Sequence, residues 1–143
     1  MSGIVDTGTI GTYTRTYSVS DSAGNAAVPV TRTIIVSDTG IPTITLVGSD
    51  PINHEQGTPF SDPGATAFDA VDGDMGNISA PEVINVAAAG TYTLTYDITD
   101  GAGNAAVTVN RTVNVADTLA PIITLGGSST INHEQGTTYT DAG

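Results

Sequence analysis

The chain lacks cysteine, lysine and tryptophan, and these absences exclude several ways of holding a small domain together. Without cysteine no disulfide can form, and cysteine usage gives no indication of the redox compartment. Without lysine, an isopeptide bond between lysine and an Asn or Asp side chain is excluded as well. Two Phe and five Tyr are the only aromatic residues. A domain built from this composition therefore has a modest hydrophobic core.

Cations are almost absent too. Three Arg stand against 15 Asp and Glu, which gives a formal net charge of −12. Nucleic-acid binding is excluded as a function class, because phosphate contacts need cations. No apolar run approaches the length of a membrane span, and no signal peptide follows the first residues. We therefore expect no nucleic-acid partner and no membrane insertion in this segment.

The main positive feature is an internal repeat. Residues 11–64 align with residues 90–143 without a gap at an offset of 79, and 34 of these 54 positions are identical when compared one by one. A fixed period of this length indicates an array of similar units. We therefore expect neighbouring repeats of the same kind to be the partners of each unit.

The junctions between repeats set the domain boundaries. Asp38-Thr39 returns as Asp117-Thr118, and each pair is soon followed by a proline. This predicts one complete unit at residues 38–116. Residues 1–37 then form the C-terminal part of a preceding unit, and residues 117–143 form the N-terminal part of a following unit.

Alternating apolar and polar residues predict short β-strands rather than helices. Residues 92–99 and 107–115 alternate around a turn at residues 100–104, which indicates a hairpin. Further strands are predicted at residues 43–47, 65–68 and 82–86. The segment from Asp69 to Asn77 is predicted to be a loop. Several short strands separated by turn residues predict an all-β fold, an antiparallel Ig-like β-sandwich repeated with a 79-residue period.

Several motifs resemble the Ig-like repeats of bacterial surface and secreted proteins, including those of pesticidal crystal proteins, and are similar to hyalin repeats. They comprise Pro42-x-Ile44-x-Leu46, Gly57-x-x-Phe60-x-Asp62-x-Gly64-Ala65, Ala67-x-Asp69-x-x-Asp72-Gly73-Asp74, Gly90-Thr91-Tyr92-x-x-x-Tyr96-x-x-x-Asp100-x-x-Gly103-Asn104 and Arg111-Thr112-Val113-x-Val115. The resemblance implies an Ig-like sandwich and an extracellular or cell-surface bacterial location. Modules of this kind act as spacers or adhesive segments, and Ig-like folds host many roles.

The acidic residues form two predicted groups, one at each end of the complete unit. In an Ig-like sandwich the last hairpin turn, the loop after the second long strand and the N-terminal junction lie at the same end. This end is predicted to collect Asp38, Asp69, Asp72, Asp74 and Asp100. Glu55 and Asp62 should lie at the opposite end, beside the next junction at Asp117. Carboxylate groups in Gly- and Asn-containing turns suit Ca²⁺, so all eight residues are candidate ligands. The alternative is that they are ordinary turn residues, which hydrogen-bond their own backbone.

The sequence contains no complete catalytic motif of the kinds considered below. His54-Glu55-Gln56-Gly57 begins like a zinc-protease motif, but position 58 is Thr rather than the required second His. His54 and His133 are therefore interpreted as loop residues. There is no cysteine nucleophile and no Gly-x-Ser-x-Gly elbow. We expect no enzymatic activity and no catalytic or cofactor-binding residue other than the candidate calcium ligands.

One arginine is predicted to point into the sandwich. Arg111 shares a strand face with Val109 and Val113, so its guanidinium group needs a carboxylate partner or an outlet to solvent. Arg32 is its equivalent in the first unit. Arg15 replaces Leu94, which indicates that the first unit is not packed quite like the central one, or that Arg15 lies at a bulge or a margin of the sheet.

Together these features favour a non-catalytic structural segment, a stiff spacer or fibre, with calcium at the junctions as a hypothesis. An adhesive module that binds a glycan or a host protein is the alternative, although aromatic residues are scarce. A further alternative arises because residues 1–37 and 118–143 correspond to complementary parts of one unit. Exposed strand edges pair readily, so copies of the chain could join head to tail into a filament.

Overall fold

The computed structural model describes residues 2–141 and 143, and in this part of the chain it contains β-strands and no helix. The strands are β1 (Gly11–Tyr17), β2 (Val30–Val36), β3 (Thr43–Leu46), β4 (Ile52–Glu55), β5 (Ala65–Asp69), β6 (Gly73–Ile78), β7 (Gly90–Tyr96) and β8 (Val109–Ala116). No helix that could span a membrane is found among the described residues.

Strands β3 to β8 form the two sheets of a sandwich, as the sequence predicts. One sheet has the order β3-β5-β6, and its strands are antiparallel. The other has the order β4-β8-β7, in which β7 and β8 are antiparallel and β4 pairs with β8 in parallel. The chain thus leaves the first sheet after β3 and joins the second at β4.

The core lies between these two sheets and is small. Ala65 from β5 packs against Leu94 and Tyr96 from β7 and against Val113 and Val115 from β8. Partly buried side chains surround this cluster, namely Ile44, Leu46, Ile52, Phe60, Ile78, Ala80, Ile84 and Tyr92. Each strand contributes alternate residues to the core, which is why the period-two pattern identified β3, β5, β7 and β8.

Strands β1 and β2 form a separate two-stranded antiparallel hairpin. Their register, in which Gly11 faces Val36 and Tyr17 faces Val30, is that of β7 and β8 79 positions earlier in the chain. Their burial differs, because Arg111 is 0% exposed whereas its equivalent Arg32 is exposed. No strand is found in the described part of residues 117–143, and all of its described residues are exposed.

Three secondary-structure predictions were wrong. Residues 82–86 form no strand, because Pro81 precedes them and their backbone pairs with no neighbouring strand. The Glu82 carboxylate instead accepts a hydrogen bond from the Thr95 N–H, 3.2 Å away. The predicted loop 69–77 contains only a short turn, followed by β6. His54, interpreted as a loop residue, instead lies in strand β4. Strands β4 and β6 are rich in polar residues and glycine, and pairing with β8 and β5 overrides their weak strand propensity.

Candidate metal centre

Three carboxylates meet at one end of the sandwich. Asp38, Asp69 and Asp100 each offer an oxygen atom, and these three atoms all lie within 4.8 Å of one another. Asp69 and Asp100 are buried, with 2% and 7% of their surface exposed, and Asp38 is partly buried. The three residues are far apart in sequence, so it is the fold that assembles the group.

Turn geometry holds two of these side chains in place. Asp69 ends β5, and its Oδ1 accepts hydrogen bonds from the N–H groups of Val71 and Asp72 at 2.7 and 3.1 Å. Asp100 opens the hairpin turn between β7 and β8. Its Oδ1 accepts from the Asn104 N–H at 2.7 Å, and its Oδ2 accepts from Asn104 Nδ2 at 2.8 Å. Both are turn-capping interactions typical of Asp.

Among the described residues, only one of the two carboxylate oxygens of Asp38 has a hydrogen-bond partner. Its Oδ1 accepts a hydrogen bond from the Gly40 N–H at 2.9 Å, whereas its Oδ2 is buried and has no hydrogen-bond partner among the described residues. Asn104 Nδ2 also donates to the Asp38 carbonyl oxygen at 3.4 Å, which ties the junction to the hairpin turn. Buried carboxylate oxygens are normally hydrogen-bonded, so an orphaned one beside two further carboxylates indicates a missing donor or cation.

The pKa of Asp100 is lowered, although no ion pair of this carboxylate is found among the described residues. Burial alone would raise the pKa of this carboxyl group, but the hydrogen bonds from Asn104, Gly103 and Ala102 outweigh that effect. The group therefore stays ionised next to Asp38 and Asp69.

The other two residues predicted for this end take different positions. The Oδ2 of Asp72 accepts a hydrogen bond from the Gly101 N–H at 2.7 Å, so Asp72 joins the two turns beside the cluster. Asp74 lies on β6 and caps its own backbone, with Oδ1 accepting from the Gly76 N–H at 2.9 Å. The structure thus brings together Asp38, Asp69 and Asp100, places Asp72 next to them, and leaves Asp74 out of the group.

Asp62 is engaged by Arg111. Arg111 Nη1 lies 2.6 Å from Asp62 Oδ1 and donates also to the Tyr96 hydroxyl at 3.0 Å. Its Nη2 donates to the carbonyl oxygens of Val47 and Gly64. The inward arginine therefore has the carboxylate partner that the sequence predicts. The sequence did not indicate that Asp62, a candidate metal ligand, is this partner.

The Tyr96 hydroxyl completes this buried network by donating to Asp62 Oδ1 at 2.7 Å. Burial, together with the hydrogen bond and the charge of Asp62, raises the pKa of Tyr96 to about 12. Burial would raise the pKa of Asp62, but hydrogen bonds from Tyr96, the Gly64 N–H and Arg111 outweigh it and lower that pKa below its ordinary value. Sequence reasoning missed Tyr96; its position two residues from Leu94 on an inward strand face was the available signal.

Glu55 lies at the other end of the unit, where the next junction begins. Its carboxylate accepts hydrogen bonds from the Thr118 N–H at 3.1 and 3.2 Å, and from the Thr118 hydroxyl. The hydrogen bond from the Thr118 hydroxyl is the main cause of a lowered pKa for Glu55. Asp117 Oδ1 accepts from the Leu119 N–H at 3.3 Å. These contacts join the body of the sandwich to the first residues beyond it.

The histidines have local partners. His54 Nε2 lies 3.0 Å from the Thr58 carbonyl oxygen, and its ring packs edge-on against Phe60. His133 makes the equivalent contacts with Thr137 and Tyr139. Neither ring belongs to the carboxylate group, since the group detected among the described residues consists of Asp38, Asp69 and Asp100.

Comparison with known proteins identifies the family. The model of the family described as "Bacterial surface protein, Ig-like domain" matches residues 1–36 and 44–115. Hyalin from Strongylocentrotus purpuratus is 33% identical over 141 residues, which is 90% of this chain and 11% of hyalin. The crystal structure of the lipoprotein BT2262 from Bacteroides thetaiotaomicron is 32% identical, with a TM-score of 0.45 over 56% of this chain and 40% of that chain. The chain thus spans about a tenth of the length of hyalin. It belongs to the bacterial surface protein Ig-like domain family.

Proposed function

We propose that the chain is a non-catalytic structural segment of a bacterial extracellular or cell-surface protein, a stiff spacer in which Ca²⁺ binds between Asp38, Asp69 and Asp100. Its neighbours are repeats of the same kind. The observation that carries the proposal is the buried group of three carboxylates, which joins the junction residue Asp38 to two turns of the sandwich.

The chemistry of this group favours a hard divalent cation. Three carboxylates supply up to six oxygen atoms, and Ca²⁺ prefers six to eight oxygen ligands in flexible geometry. Several of these oxygens already accept turn hydrogen bonds, but Asp38 Oδ2 is buried and has no hydrogen-bond partner in the described part of the chain. Water and the nearby Asp72 carboxylate are the candidates for the remaining ligand positions. A cation here offsets the mutual repulsion of the three negative charges.

The position of the group favours a mechanical role. Asp38 belongs to the junction, whereas Asp69 and Asp100 belong to the sandwich, so a shared ion fixes the direction in which the chain enters the unit. At the far end, the Glu55 carboxylate accepts hydrogen bonds from the N–H and hydroxyl groups of Thr118. Asp117 and Thr118 are the first two residues after β8. Both ends of the unit thus restrain the adjoining backbone, as a stiff spacer requires.

Calcium binding is tested by titrating chelator-treated protein in a calorimeter and by measuring its melting temperature. A ligand present at about 100 times its Kd stabilises a folded protein by about 2.7 kcal/mol. For a domain of this size that corresponds to a rise in melting temperature of roughly 10–20 °C. No heat release together with no change in melting temperature would end the calcium proposal.

The repeat supplies a matched control. Asp21 is the equivalent of Asp100, and it accepts the same hydrogen bonds from the N–H groups of its own turn. It is exposed, however, and it is not part of the carboxylate group found among the described residues. Asp100→Asn should abolish the calcium response, while Asp21→Asn should leave it unchanged. Equal effects of the two substitutions would show that the turn, and not the carboxylate group, is responsible.

An adhesive role is the second candidate, and one feature supports it. A shallow cavity of about 290 Å³ opens beside the second sheet and is lined by Phe60, Asp62, Glu82, Val83, Ile84, Val86 and Leu94. It combines apolar walls with two carboxylates, as small ligand sites do. A glycan array separates the two functions, since a spacer gives no specific hits.

A further inference from the structure

The cavity beside the second sheet lies wholly inside the complete unit. All of its lining residues fall between Phe60 and Leu94. Leu94 is 1% exposed and belongs to the core, whereas Val83 is 94% exposed. Phe60, Ile84 and Val86 are partly buried and lie between these extremes. The cavity therefore runs from the apolar core outward to solvent.

Five of the seven lining residues are apolar, and the other two are the carboxylates Glu82 and Asp62. Asp62 is partly buried, and its charge is already offset by Arg111. Glu82 is exposed and forms no ion pair among the described residues. Glu82 therefore gives the cavity an uncompensated negative charge beside apolar walls. This combination suits a cation that is carried on an aliphatic stem.

The hydrogen bonds that these carboxylates already make favour an ammonium group over a guanidinium group. Glu82 Oε2 accepts from the Thr95 N–H at 3.2 Å, and Asp62 Oδ1 accepts from the Tyr96 hydroxyl and from Arg111. One oxygen of each carboxylate is thus engaged. A guanidinium group binds best to both oxygens of one carboxylate. An ammonium group has three rotatable donors and can bond to separate acceptors.

The charge at Glu82 and the size of the cavity fit such a group. The hydrogen bond from the Thr95 N–H is the main cause of a lowered pKa for Glu82, so this carboxyl group is ionised at neutral pH. The cavity has a volume of about 290 Å³. Four methylene groups and a nitrogen atom need about 150 Å³ or less, at about 30 Å³ per heavy atom, the share of a water molecule in the liquid.

We propose that this cavity binds a lysine side chain of a partner protein. Its methylene groups pack against Phe60, Ile84 and Val86, and its ammonium group lies near Glu82. The chain contains no lysine, so neither this segment nor a second copy of it can supply that side chain. The net charge of −12 attracts a lysine-rich partner surface. This inference rests on the adhesive role, the second candidate function, and it does not involve the calcium group.

A nuclear magnetic resonance titration of the isotope-labelled chain tests the proposal, because the Thr95 amide bonds directly to the Glu82 carboxylate. The probe is N-acetyl-lysine-N-methylamide. It should shift the Thr95 amide with a Kd of about 1 mM, as expected for so few bound heavy atoms. Thr16, the equivalent of Thr95, is the internal control: its N–H donates to the Ser2 carbonyl oxygen, and Gly3 stands at the position of Glu82. The Thr16 amide should not shift.

Three related probes define which part of the ligand is recognised. The norleucine derivative keeps an aliphatic stem without the ammonium group, and it should bind at least about tenfold more weakly because the charge-assisted hydrogen bond is lost. The arginine derivative should also bind more weakly than the lysine derivative. Butylamine, which carries the ammonium group without a peptide backbone, should bind no more tightly than the lysine derivative.

A matched pair of variants tests the role of the carboxylate. Glu82→Gln keeps the size of an exposed side chain and should weaken binding of the lysine derivative about tenfold. Glu134→Gln removes an exposed carboxylate outside the complete unit and should leave binding unchanged. The amides of Ile84 and Val86 serve as further reporters in Glu82→Gln, where the Thr95 hydrogen bond is altered. Circular dichroism verifies that both variants retain their fold.

Several results would overturn the proposal. They are equal shifts at Thr95 and Thr16, equal affinity for the lysine, norleucine and arginine derivatives, tighter binding of butylamine than of the lysine derivative, and unchanged binding by Glu82→Gln. Loss of binding in calcium relative to chelator would also overturn it, because the cavity would then take any cation. Glycan-array hits without lysine binding would overturn this inference and keep the adhesive role. Lysine binding without glycan hits supports the inference and directs the adhesive role toward proteins.

Discussion

Replacing Asp62 by Asn should strongly destabilise the complete unit. The substitution keeps the size of the side chain but removes the charge that faces Arg111, whose guanidinium group is fully buried. Arg111 Nη1 then keeps the Tyr96 hydroxyl and loses its only ion pair among the described residues. A buried cation without a counter-ion is costly, because neither water nor a carboxylate compensates for its desolvation.

The expected loss is about 3–5 kcal/mol, the usual effect of removing one partner from a buried ion pair. A unit of 79 residues, from 38 to 116, has a free energy of unfolding of roughly 4–12 kcal/mol. The substitution should thus remove about a quarter or more of the stability. At about 4–8 °C per kcal/mol for a domain of this size, the melting temperature should fall by roughly 12–40 °C.

Urea unfolding of dilute protein, followed by circular dichroism, measures the change. Asp141→Asn is the matched control, because Asp141 is the exposed equivalent of Asp62 and should alter the main transition by less than about 0.5 kcal/mol. The dependence of stability on pH in the acid range gives a second check. The lowered pKa of Asp62 means that its contribution is present above pH 3.8 and is lost as the pH falls through the lower value of the folded state. Asp62→Asn should lack this component.

The reasoning is refuted if Asp62→Asn and Asp141→Asn have equally small effects. It is also refuted if Arg111→Met alone destabilises the unit and Asp62→Asn does not, because the arginine would then act through packing and not through its charge. Replacing both partners with apolar side chains should be milder than replacing Asp62 alone, since the double change leaves no buried charge unpaired.

Two further predictions concern other contacts of the unit. Because the pKa of Tyr96 is raised to about 12, the contribution of its hydroxyl group to stability is complete below pH 10 and is lost as the pH rises through about 12. Tyr96→Phe should remove this loss of stability at alkaline pH. An unchanged alkaline unfolding profile would contradict the prediction. Glu55→Gln should speed amide hydrogen exchange at Thr118 several-fold with little change in melting temperature, because it weakens charge-assisted hydrogen bonds at an exposed site. Glu134→Gln is the control and should not alter amide hydrogen exchange at Thr118.

The alternation of apolar and polar residues was sufficient to predict the strands that line the core. β3, β5, β7 and β8 alternate apolar and polar residues because one face of each is buried, and this alternation is visible in the sequence. β4 and β6 were missed because their residues, such as those from Gly73 to Asn77, have low intrinsic strand propensity. Their pairing with β8 and β5 is decided by the rest of the fold, and no local pattern encodes it.

The candidate site was predictable in outline and not in its partners. Knowledge of the topology was enough to place Asp38, Asp69 and Asp100 at one end, because the ends of an Ig-like sandwich follow from strand order. Assigning Asp62 correctly would have required knowing which of 15 acidic residues faces Arg111. That choice depends on how the segment between β4 and β5 packs against β7 and β8, and sequence spacing does not predict it.

The distribution of the few cations gives the acidic cluster its significance. The single arginine of the central unit, Arg111, is committed to Asp62 inside the sandwich. No ion pair with Asp38, Asp69 or Asp100 is found among the described residues, and Asp38 Oδ2 is buried without a partner. The chain has no lysine that could reach them. We propose that a cation from solvent supplies the counter-charge for this group. If that counter-ion is Ca²⁺, as we propose, the stability of the unit rises with the logarithm of free calcium, because only the folded state assembles the three carboxylates.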